Sequence, residues 1–85
     1  MSEHAGEIII ISGPAGSGKT NLGDALTAHY TRPRVRRFEW PRDSHTEIVQ
    51  AYGHGNVCIV ETSMRPTSVP LRAHQIITLQ PGSAQ

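Results

Sequence analysis

The stretch Glu7-Ile8-Ile9-Ile10-Ile11-Ser12, followed by Gly13-Pro14-Ala15-Gly16-Ser17-Gly18, constrains this chain more than any other part of it. Four β-branched residues in a row have stiff side chains and suit a strand buried on both faces. The glycines and the proline then interrupt regular structure over residues 13–18. From Lys19 to Tyr30, the residues Leu22, Ala25, Leu26 and His29 follow the i, i+3, i+4, i+7 spacing of one helix face. A buried strand passing through a tight turn into a helix is the opening of a βαβ unit, and such units build parallel sheets.

The rest of the chain continues that alternation. Thr31, Arg32 and Pro33 end the helix, because a residue before proline avoids helical angles. Arg34–Trp40 (RVRRFEW) reads as a second strand with Val35 and Phe38 as its core residues; its charge suits a sheet edge. Ser44-His45-Thr46-Glu47 carries the capping-box pattern and predicts a helix over Ser44–Tyr52, stopped by Gly53-His54-Gly55. Val57–Thr62 (VCIVET) is a third, apolar strand. Residues 64–74 hold two prolines, which predicts an irregular crossover with one turn at most. Gln75–Leu79 is a fourth strand. The expected fold is therefore α/β: a small three-layer domain over residues 1–85, with a mostly parallel four-stranded sheet, two helices, and flexible ends at 1–6 and 81–85.

Gly13 to Thr20 satisfies G-x-x-x-x-G-K-[ST] at every required position. A chance match in this length is on the order of a few in a thousand at average residue frequencies. The strand before it and the helix after it supply the context the mechanism needs. Glycines let successive backbone N–H groups turn inward as an anion nest, and the helix N-terminus adds partial positive charge. On this pattern Gly13, Pro14, Ala15, Gly16, Ser17, Gly18, Lys19, Thr20 and the following Asn21 would surround phosphate groups. Lys19 would reach the β- and γ-phosphates, and the Thr20 hydroxyl would ligate Mg²⁺.

Through GPAGSGKT the chain resembles the P-loop NTPase superfamily, as a member of minimal size. The resemblance implies a nucleoside triphosphate, ATP more than GTP, with Mg²⁺. It also implies an acid at the end of an apolar strand that helps hold the metal or orient water, and VCIVE puts Glu61 there. That family usually has aspartate at this position, often followed by glutamate; here the residues are Glu61-Thr62-Ser63. Catalytic roles fall on Lys19 and Glu61, and metal ligation on Thr20 and Glu61. The leading expectation is a slow Mg-dependent NTP hydrolase. A second is a small-molecule or nucleotide kinase using Glu39 or Asp43 as base, and a third is a non-catalytic nucleotide-binding regulator. A fainter likeness to FtsK- and terminase-like ATPases would make Gln80, after the fourth strand, a γ-phosphate sensor. Strand order separates these branches. An acid-bearing strand directly beside the phosphate-loop strand favours the kinase and GTPase branch, and a fourth strand inserted between them favours the ATPase branch.

Other features are weaker. Arg32, Arg34, Arg36, Arg37 and Arg42 are five of the eight basic residues. They would suit a nucleic acid or other polyanion, with Phe38 and Trp40 as stacking platforms, or else protect a sheet edge. Strand alternation divides them between faces, and the net charge of +1 gives no global attraction to polyanions. Arg65 and Arg72 are candidate arginine fingers or solvated loop residues. The five histidines and the single Cys58 show no zinc-ligand spacing. Cys58 reads as an inert buried thiol in a reducing, cytoplasmic setting. No segment reads as a membrane span or an export signal. So small a sheet is expected to need cover, from self-association or a protein partner.

Overall fold

A computed structural model describes residues 6–30 and 35–80. Arg32, Arg34 and the expected flexible ends (apart from Gly6) lie outside the described residues. The elements run β1 (Glu7–Ser12), α1 (Lys19–His29), β2 (Val35–Trp40), α2 (His45–Gly53), β3 (Val57–Thr62), a 3-10 turn at Pro66–Ser68, and β4 (Gln75–Thr78). All neighbouring strands are parallel, and their order across the sheet is β2-β3-β1-β4. The fold is the expected α/β class, with the sheet wholly parallel.

Side-chain alternation sorts the core into two layers. Ile9 and Ile11 of β1 and Val57 and Ile59 of β3 face α1, where Leu22, Leu26 and Tyr30 pack on them. Ile8, Ile10, Cys58 and Val60 face the other way, against Ile48 and Ala51 of α2 and Phe38 of β2. The central strands β1 and β3 are buried on both faces, as continuous apolar runs require. β2 is an edge, which accounts for its tolerance of Arg36, Arg37 and Glu39.

Helix α2 begins as expected: Ser44 is the N-cap, and its hydroxyl accepts from the Glu47 N–H at 3.1 Å. The Leu22, Ala25, Leu26, His29 face expected for α1 needs correction. Ala25 and His29 are exposed, Leu22 and Leu26 are half-buried, and the buried residue of the helix is Gly23. The helix rests on its i, i+4 ridge, Leu22-Leu26-Tyr30. Gly23 lies close over polar groups that rise from the sheet.

The crossover between β3 and β4 is short and proline-broken, so it carries only one 3-10 turn and buries Val69. It is nevertheless well tied. The Ser12 hydroxyl donates to the Met64 carbonyl at 2.8 Å, and the Met64 N–H donates to the Thr62 hydroxyl at 3.0 Å. Strand β4 lies on the far side of β1, with Ile76 left 53% exposed. Among the described residues, no helix is long and apolar enough to cross a membrane.

Candidate functional site

The carboxyl ends of β1, β2 and β3 meet at one edge of the sheet, the place where doubly wound folds form a ligand crevice. Ser12 leads into the loop of residues 13–18, which closes on itself. The Ser17 N–H and hydroxyl both donate to the Pro14 carbonyl, at 3.2 and 2.7 Å, and Ser17 is buried. Gly16 and Gly18 adopt φ of 81° and 95°, a backbone region that side-chain-bearing residues rarely occupy. Those two glycines give the curl that the motif requires. Gly18 is also the N-cap of α1, so the loop ends at that helix's amino terminus.

The Lys19 ammonium folds back over the loop and donates to the carbonyls of Gly13 and Pro14, at 2.6 and 3.0 Å. Thr20 follows on the first turn of α1, and its hydroxyl lies 3.4 Å from Oε1 of Glu61. A hollow of about 400 Å³ opens beside them, and Ala15, Gly16, Lys19, Thr20, Glu39 and Glu61 form much of its wall. Trp40, Pro41, Thr62 and Ser63 complete it. Residues from positions 15 to 63 are thus collected into one concavity. Gly13, Pro14 and Ser17 shape the loop behind it. Asn21 is exposed and does not line the hollow.

Glu61 reaches the hollow because odd-numbered residues of β3 point toward α1, and it is the last of that series. Its Oε2 accepts from Nη2 of Arg37 at 2.7 Å, while Nη1 of Arg37 donates to Oδ1 of Asp24 on α1, also at 2.7 Å. These bonds, that to Glu61 foremost, raise the Arg37 pKa above its already high ordinary value, so the guanidinium is always charged. The pair is partly shielded, with side-chain exposures of 32% for Arg37 and 18% for Glu61. In the sequence Arg37 stood only within the 32–42 run, as part of a polyanion patch or a charged sheet edge, and Asp24 had no role. The available signal was Gly23, an isolated glycine inside a helical pattern, where a packing reason is the usual explanation.

The two base candidates separate. Glu39 sits opposite Glu61 in the β2–β3 register and lines the hollow. Asp43 is occupied in a turn instead: its Oδ2 accepts from the Glu39 N–H at 2.7 Å, and its own N–H donates to the Glu39 carbonyl at 2.7 Å. It does not line the hollow. Gln80 is exposed, beyond a strand that flanks β1 on the side away from β3, so the inserted-strand arrangement behind its sensor role is absent. Arg65 is exposed and does not line the hollow, and Arg72 lines a separate concavity beside α2.

The described arginines of the 32–42 segment face different surroundings. Arg37 is held by two acids, and Arg42 lies 3.4 Å from both Glu39 and Asp43. Arg36 stacks over the Phe38 ring on the opposite face, 5.4 Å from its centroid. Cys58 is fully buried mid-strand, and burial pushes its thiol up to about 11. Among the described residues, no group of three or more His, Cys, Asp or Glu residues is placed to hold a metal ion.

Comparison of the chain with protein-family models, with curated proteins and with solved structures returns no match.

Proposed function

We propose that this chain binds a nucleoside triphosphate, ATP before GTP, as its Mg²⁺ complex, with the phosphates in the loop of residues 13–20. The observation that carries the reading is the convergence of Lys19, Thr20 and Glu61 on one hollow at the carboxyl end of a parallel sheet. The donor set fits Mg²⁺. Thr20 Oγ1 and Glu61 Oε1 are hard oxygen donors 3.4 Å apart, and Mg²⁺ sites commonly use one or two protein oxygens with substrate phosphates and water. Bound there, the metal would offset phosphate charge as a Lewis acid.

The chain's own residues do the rest. Lys19 exchanges its loop carbonyls for phosphate oxygens, and Gly16 and Gly18 hold the loop in shape. Glu61 and Thr20 orient the metal side of the complex. The hollow is open to solvent, so bulk water reaches the phosphate, and hydrolysis is slow because positioning is the main source of catalysis here.

Phosphoryl transfer to a small acceptor is a second reading, favoured by a specific observation. The acid-bearing strand β3 lies directly beside β1, the order that distinguishes the kinase and GTPase branch. Glu39, at the end of β2, lines the same hollow and is the group suited to take an acceptor hydroxyl's proton.

Calorimetric titration with ATP, GTP and ADP, with and without Mg²⁺, tests the first reading beside Lys19→Ala. Equal behaviour of wild type and variant removes it. Phosphate release against transfer to added acceptors, compared in Glu39→Gln, separates hydrolysis from transfer. Loss of transfer with hydrolysis retained supports the second reading.

A further inference from the structure

Arg37 does not line the hollow of Lys19, Thr20 and Glu61, yet the geometry of its clamp on Glu61 is specific. The guanidinium fork divides between two acids, Asp24 on α1 and Glu61 on β3, each at 2.7 Å. Helix α1 passes over it at Gly23, where any Cβ would lie 2.6 Å from Nη2 and 3.0 Å from Cζ of Arg37, and 3.1 Å from Oε2 of Glu61. Only a residue without a side chain lets the helix pass while the pair stays closed. The two oxygens of Glu61 are thereby given different tasks: Oε2 belongs to Arg37, and Oε1 is left toward Thr20.

The charge arrangement has a direct consequence for a divalent cation. Asp24 and Glu61 together carry two negative charges, and Arg37 cancels one of them at hydrogen-bond distance. A free Mg²⁺ approaching Oε1 therefore meets a carboxylate already sharing its charge, with a fixed positive group behind it. Among the described residues, no group of three or more His, Cys, Asp or Glu residues is placed there to complete a site. Phosphate oxygens and water would supply the remaining donors.

We propose that Arg37 is a resident counter-cation for Glu61. It holds the acid at the site but keeps metal binding dependent on nucleotide phosphates, so Mg²⁺ enters with the nucleotide rather than ahead of it. Arg37 is a positioning residue in this scheme: it touches neither phosphate nor metal and acts through Glu61. The proposal rests on the nucleotide-binding reading of the same hollow and adds an order of assembly to it. Arginine suits the task because its planar fork pairs with two carboxylates at once and never loses its proton, which a lysine ammonium does less well.

The test is calorimetric titration of the full chain with MgCl₂ alone, repeated with ADP in metal-free buffer, for wild type, Arg37→Gln, Arg37→Lys and Gly23→Ala. Thermal melts accompany each variant. Removing one positive charge at this range from a divalent cation is worth about tenfold in affinity or more at a partly screened site. Arg37→Gln is expected to bind Mg²⁺ alone about tenfold more tightly than wild type, and Arg37→Lys to stay within about threefold. A merely structural role for Arg37 predicts no gain in metal affinity. A folded Arg37→Gln with wild-type affinity for Mg²⁺ alone overturns the proposal. If Arg37→Gln does not fold, Gly23→Ala decides: its methyl group displaces Arg37 from Glu61 without changing the charge, so tighter binding of Mg²⁺ alone supports the proposal and wild-type affinity in the folded variant overturns it. The ADP titrations report separately on the nucleotide reading. Its failure shows as absent ADP binding in wild type, whatever the metal titrations give.

Discussion

The two faces of the sheet use the same strands for different ends. On the α2 face, Ile8, Ile10, Phe38, Cys58 and Val60 pack against Ile48 and Ala51, and even the thiol behaves as a hydrophobe. The α1 face starts equally apolar, with Ile9, Ile11, Val57 and Ile59, but toward the carboxyl ends of the strands it turns to Arg37, Glu39 and Glu61. One-residue alternation thus gives one face an apolar layer throughout and the other an apolar layer with a charged end. The lesson concerns coupling: a change on one face should leave the property carried by the other largely intact.

The strongest way to break that separation is Ile48→Ala. Ile48 is fully buried in the α2 layer, and truncation to alanine typically costs about 2–5 kcal/mol. In a domain of this size that is a large share of total stability. Urea denaturation should show the loss, while nucleotide affinity measured below the transition stays within about twofold, since Ile48 does not reach the hollow. A large affinity change in the folded fraction would show that the faces are coupled.

Lys19→Ala is the converse. Losing a charge-assisted bond to phosphate should weaken nucleotide binding by roughly 10–100-fold. The melting temperature without nucleotide should move little, because the ammonium contacts only loop carbonyls.

Alkaline pH reaches the α2 layer through Cys58. The Cys58 thiol is raised from 9.0 to about 11 by burial, so the unfolded chain gives up this proton at lower pH than the folded one. Its contribution is fully present below about pH 9 and is lost as pH rises toward 11, by roughly 2–3 kcal/mol in all. Urea midpoints of wild type and Cys58→Ala should converge over that window, as the other alkaline titrations are common to both. Parallel curves would show that the thiol does not titrate between the two states.

Gly23→Ala is the smallest perturbation and the sharpest. Alanine favours a helix over glycine by about 1 kcal/mol, and the contact it creates falls on the movable tip of Arg37. Stability should therefore change by no more than about 1 kcal/mol. Affinity for Mg²⁺ alone should shift toward that of Arg37→Gln, because the new methyl group pushes Arg37 off Glu61. A stability loss of several kcal/mol would mean that the clamp belongs to the core and not to the site.

Much of this was legible in the residues. The isoleucine run, the glycine spacing and Lys19-Thr20 specify strand, loop and helix by local physics, and the acid ending VCIVE could be paired with the loop from strand topology. The Ser44 cap was equally readable. The face of α1 was not. Leu22, Ala25, Leu26 and His29 satisfy the helical period, but which ridge packs depends on what lies beneath, and there Arg37 and Glu61 rise under Gly23. Asp43 and Glu39 were equivalent as acids on a short segment; only the turn that draws the Asp43 carboxylate onto the Glu39 N–H separates them.

The sequence by itself determined the element types and an α/β class with a mostly parallel sheet, because these follow from side-chain shape, periodicity and backbone freedom within about a dozen residues. Tertiary structure alone decided that β3 lies beside β1, that Glu39 shares the hollow with Lys19, and that Arg37 binds Glu61 and Asp24. Each of those is a contact between side chains or strands well apart in the chain. Such contacts are chosen by packing and charge in three dimensions, which no local pattern encodes.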